Sequence, residues 1–124
     1  MLLCDQVITE VGTNKKTLVG VFDRWFLPEF PFNLPGFWVF ARLTDAEGDY
    51  TFKLRFAYLD EDQLLAEFTT IKVHAPDRLG FLELTLPIPP LFAVPKPGRY
   101  EFQLYAGEVY IGRTTIQAEE RKGA

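Results

Sequence analysis

The chain has 124 residues, 48% of them apolar and 24% charged, with a formal net charge of −4. That length suits one ordinary domain, and that composition excludes a disordered chain. The acidic balance excludes the basic face of a nucleic-acid binder and adhesion to an anionic membrane surface.

The start, "MLLCDQV", superficially matches the end of a lipoprotein signal, but it has no basic region and no apolar leader ahead of Cys4. Residues 3–9 therefore read as a first strand, with Cys4 a small buried hydrophobe. One cysteine cannot form a disulfide within the chain, so no oxidising compartment is implied. No apolar run approaches the ~18 residues of a membrane span. These points place the chain in the cytoplasm.

Loop 11–16, "VGTNKK", joins the first strand to a second at 17–22, with Gly12 available for positive φ. Residues 24–40, "RWFLPEFPFNLPGFWVF", crowd aromatic side chains between Pro28, Pro31 and Pro35. Strand 37–44 follows. Phe37, Val39, Ala41 and Leu43 share one face, while Trp38, Phe40, Arg42 and Thr44 share the other. After the turn "DAEGD" at 45–49, the run 50–58 alternates cleanly, with Tyr50, Phe52, Leu54, Phe56 and Tyr58 on one side. "DEDQ" at 60–63 is a polar turn. Strand 64–73 slips its alternation near Thr69 and Thr70, which predicts a bulge there.

Strand 81–88 points Leu82, Leu84, Leu86 and Ile88 one way. The prolines of 87–97 leave room for a short helix at most in 89–96. Strand 99–105 turns Tyr100, Phe102 and Leu104 inward. Gly107 then makes a tight hairpin into a last strand at 108–117. Residues 119–124 read as a loose tail beyond a single domain of 1–118. No α-helical period with caps is present. The expected fold is all-β: an antiparallel β-sandwich, immunoglobulin-like, of seven to nine strands. Pro97 and Gly98 mark a corner between sheets. Tyr100 after it suits a tyrosine corner, its hydroxyl turned back onto loop backbone.

"LVGVFDRW" (18–25), "PEFPF" (28–32), "GDYTFKLRFAYLDED" (48–62) and "PGRYEFQLYAGE" (97–108) together resemble an uncharacterised bacterial family of small β-sandwich domains. The resemblance spans nearly the whole chain. It implies the sandwich fold and a bacterial cytoplasmic setting, and it carries no catalytic residue. The turn "DEDQ" departs from the Asp-Gly type of that family.

Candidate chemistry is sparse. His74, the one histidine, reads as an exposed strand-edge residue. "DAEGD" and "DED" offer alternating carboxylates but lack the length of a calcium loop, so they read as solvated turns. No acid stands alone in an apolar context, and "VGTNKKT" lacks P-loop spacing and leads into a strand. No metal or cofactor is expected, and no enzymatic activity. The aromatic segment has two readings. Its rings plug an open end of the sandwich, or Trp25, Phe30, Phe32, Trp38 and Phe40 form a patch for a protein partner or a second copy. The expected role is an interaction module using that patch. The alternative is a small-ligand or carbohydrate module, which predicts an exposed planar strip including Trp25 and Trp38.

Overall fold

The computed structural model describes residues 1–121 other than 71, 78 and 91. The alternating apolar pattern forms pleated strands throughout, and no α-helix occurs among the described residues. In chain order the strands are β1 (Leu2–Thr9), β2 (Lys16–Phe22), β3 (Arg24–Leu27), β4 (Phe32–Leu34), β5 (Phe37–Thr44), β6 (Gly48–Tyr50) and β7 (Phe52–Tyr58). After a 3-10 turn at Leu59–Glu61 come β8 (Gln63–Thr69), β9 (Val73–Ala75), β10 (Phe81–Ile88), β11 (Phe92–Val94), β12 (Gly98–Ala106) and β13 (Val109–Glu120).

Among the described residues, thirteen strands replace the expected seven to nine. The surplus is β3, β4, β6, β9 and β11, each three or four residues long and too short to show a period of two. The run at 50–58 is split by Thr51 into β6 and β7, and the run at 64–73 stops at Thr69. The segment considered for a short helix holds β11 instead; its position 91 lies outside the described residues.

One sheet has the order β10-β5-β1-β2 and is antiparallel throughout. The other has the order β3-β13-β12-β7-β8. Here the expectation of a purely antiparallel arrangement fails, because β3 runs parallel to β13. The chain leaves β2 and passes through Asp23 into the second sheet, so β3 joins it beside a strand distant in sequence. Two small ribbons, β11-β4 and β6-β9, complete the set.

The larger sheets pack around one core. Phe52, Leu54, Phe56 and Tyr58 of β7 and Tyr100, Phe102 and Leu104 of β12 join Val39, Ala41, Leu84 and Ile88 of the four-stranded sheet. Phe56 stacks on Tyr100 at 5.1 Å between ring centroids and lies 4.7 Å from both Phe92 and Phe102. Each such ring contributes about 1.5–3 kcal/mol of apolar burial, which explains why rings supply the core of so short a chain.

The corner before β12 is held at several points. The Tyr100 hydroxyl donates to the carbonyl of Lys96 and accepts from the Lys96 N–H. Tyr58 donates to the Pro97 carbonyl at 2.8 Å. Gly98 has φ +138°, and a Cβ there would stand 2.4 Å from Asp60 Oδ2. Gly107 takes the left-handed conformation its hairpin requires, at φ +59°.

The bulge expected near Thr69 and Thr70 lies elsewhere. The β7–β8 register shifts so that Leu65 is the extra residue opposite Phe56 and Ala57. Thr70 instead closes β7 onto its neighbour, its N–H donating to the Phe52 carbonyl and its hydroxyl accepting from the Phe52 N–H. At the other end of the chain, Glu119 and Glu120 pair with Phe26 and Leu27, and the Arg121 N–H donates to the Leu27 carbonyl at 2.7 Å. Residues 122–124 lie outside the described residues.

Candidate functional site

In a pleated strand every second side chain leaves the core. For the four-stranded sheet those outward positions are set by register. Phe81, Glu83, Thr85 and Pro87 of β10 stand beside Thr44, Arg42, Phe40 and Trp38 of β5. Phe40 and Trp38 stand in turn beside Leu2 and Cys4 of β1, and Cys4 beside Val21 of β2. Gln6 with Val19 and Ile8 with Thr17 extend the face. Phe81 is 59% exposed and Val21 53%; Leu2, Ile8 and Val19 are also exposed, while Trp38 and Phe40 are half-buried.

Arg42 and Glu83 are the only charged residues at these outward positions, and the ladder sets them side by side. The Arg42 guanidinium carbon lies 3.6 Å from the Phe81 ring centroid, a cation–π contact that lays the charged head flat on the aromatic ring. Cys4 sits between Trp38 and Val21 and is fully buried. Burial pushes its thiol above the ordinary cysteine range.

The outward face of the five-stranded sheet carries more charge. Arg113 pairs with Glu101, Arg55 with Glu67, Lys53 with Glu108 and Arg24 with Glu119, each at 3.4 Å. Glu101 is only 5% exposed and accepts a 2.7 Å hydrogen bond from Gln103. Its exposed apolar side chains, Phe26, Leu64 and Tyr110, stand among those charges.

Of the sequence-predicted anchors, Trp25 is a correction. It is 7% exposed and packs edge-on against Phe37, Phe56 and Tyr100, because β3 turns its odd-numbered residues into the core. Phe30 and Phe32 are half-buried and pack against the core cluster, so they do not lie over the outward face of β5. Trp38 and Phe40 are on that face as expected. Sequence reasoning missed Leu2, Ile8, Val19, Val21 and Phe81. The signal available was that 2–8 is apolar at both parities, Leu3 and Val7 facing one way and Leu2, Cys4 and Ile8 the other.

His74 lies in β9 and bonds Asp49 Oδ1 through Nδ1 at 2.7 Å, with both side chains exposed. In the "DED" turn Asp60 pairs with Arg99, and Glu61 with Lys96, which the Glu61 hydrogen bond raises above the usual lysine range. Among the described residues no group of three or more His, Cys, Asp or Glu side chains is placed to hold a metal ion. None of their helices is long and apolar enough to cross a membrane.

The chain belongs to a family of unknown function, DUF6941, whose model matches residues 1–119. Comparison with the curated proteins found no match.

Proposed function

From that membership, which brings no activity with it, we propose a non-enzymatic interaction module that binds a protein through the outward face of β10, β5, β1 and β2. One observation carries this reading: the two outward faces of the molecule differ in kind. The five-stranded face intersperses its exposed Phe26, Leu64 and Tyr110 with four ion pairs, whereas the four-stranded face offers an apolar band with one charge of each sign. Contiguous exposed apolar surface of this kind supports the interaction reading. Phe81, Phe40 and Trp38 are the aromatic anchors, and Gln6, Thr17 and Thr44 are the polar rim. The site keeps two of the residues expected from the proline-aromatic segment and moves the rest onto β1, β2 and β10.

The finer fold description belongs to the same proposal: a β-sandwich, immunoglobulin-like in arrangement. It is supported by two sheets sharing one core and by the Tyr100 hydroxyl turned onto Lys96. A bacterial cytoplasmic setting completes it. The carbohydrate-binding alternative has less support, since Trp25 is buried and the neighbours of Trp38 are Pro87 and Cys4 rather than hydrogen-bonding groups.

The test is site-specific photocrosslinking in the cell of origin. A photoreactive phenylalanine analogue replaces Phe81, or Thr115 on the opposite face as control. A discrete adduct from position 81 and none from 115 is expected. No adduct from position 81 removes the reading.

A further inference from the structure

The inference here rests on that reading of the face and names its occupant. We infer that the apolar face of one chain packs against the same face of a second copy. Three features point to self-recognition.

The first is charge. Interfaces with foreign partners are steered by complementary potential. This face carries Arg42 and Glu83, already adjacent to each other, and no other charge at its outward positions. It offers no net field to an acidic or a basic partner. Its complement is another neutral apolar surface, and the chain itself supplies one. The chain's overall charge of −4 resides elsewhere and opposes association only at a distance.

The second is layout. The register staggers β1 and β2 along β5, so an apolar group falls in the middle: Phe40 beside Leu2, and Trp38 beside Cys4 and Val21. Arg42 and Glu83 flank this group on one side and Gln6 on the other, with Phe81 and Ile8 beyond them at the two ends. An apolar centre with polar residues on both sides suits an isologous contact, in which one patch meets its own copy.

The third is size. Four strands about 4.8 Å apart, three of eight residues and one of seven, give a face of about 500 Å², or about 1,000 Å² buried in all. That lies at the lower bound for a specific interface. The dimer is therefore reversible and concentration-dependent, with two sheets about 10 Å apart across the contact.

Sedimentation equilibrium of the full chain, from about 1 µM to about 1 mM, tests this directly. The mean mass is expected to rise from 14.3 kDa toward twice that value within this range. Phe81→Glu puts a carboxylate on both sides of the contact and moves the midpoint at least tenfold; so does Val21→Lys. Both side chains are exposed in the single chain, so the fold is retained and checked by circular dichroism. Gln117→Glu, on the opposite face between Arg99 and Arg24, leaves the midpoint unchanged. A constant 14.3 kDa across the range, or a midpoint indifferent to both face variants, overturns the second copy. Crosslinking then separates the two failures. An adduct of position 81 with a different protein leaves the face as an interaction site and ends self-association. No adduct ends both.

Discussion

Tyr100 shows how one side chain sets a corner and records pH. Its ring is buried in the core while its hydroxyl satisfies both backbone groups of Lys96. Burial raises its phenol above the ordinary value near 10. Above that pH the unfolded chain releases the proton while the folded chain still holds it. The stability tied to Tyr100 is therefore complete below about pH 10 and is lost as pH rises through the folded value. Tyr100→Phe is expected to cost about 1–3 kcal/mol at pH 7, because the Lys96 N–H and carbonyl lose their partner. It is also expected to flatten the loss between pH 9 and 11. Urea unfolding of both proteins across that range checks the magnitude and the sign. Cys4 gives a second expectation at this scale. Fully buried and with a raised thiol pKa, it holds little reactive thiolate. A thiol reagent at pH 8 should leave the native chain unmodified for hours and label it fully in urea.

Among the elements, β7 and β12 carry the core and β10 and β5 carry the candidate face, so equal truncations should have unequal effects. Phe56→Ala removes a ring that touches Phe92, Tyr100 and Phe102 and should cost about 3–5 kcal/mol. Phe81→Ala, on an exposed ring, should stay within about 0.5 kcal/mol at monomeric concentrations. Denaturant midpoints for the pair decide it. The same division explains what was legible in the sequence. Strands 37–44 and 81–88 were readable to the residue, because each runs for eight alternating positions. The inward faces of β7 and β12 were readable for the same reason. β3, β4 and β11 were not, because three or four residues show no period and their pairing is set by distant chain. Trp25 misled for that reason: inside an unrecognised strand, a tryptophan among prolines reads as a loop anchor. The candidate site was half legible. Trp38 and Phe40 appear in one strand, but the side chains that extend them into a surface lie on three others.

Across the whole molecule, the two sheets share a core and divide the surface between them, one outward face carrying four ion pairs and one a single charge of each sign. The five-stranded sheet also joins early chain to late chain. Arg24 and Glu119, partners across β3 and β13, are separated by 95 positions. The backbone of β3 is paired in that sheet only when β13 has found its place, since β13 is its sole neighbour there. Assembly is thus ordered in time. Hairpins such as β7–β8 and β12–β13 are local and quick to form. The docking of β3 waits on closure of nearly the entire polypeptide, which makes it a natural slow step in reaching the native state. Until then the backbone of β3 stays unpaired in that sheet, and the interval in which the nascent molecule is most prone to stick to others is set by its most distant pair of strands.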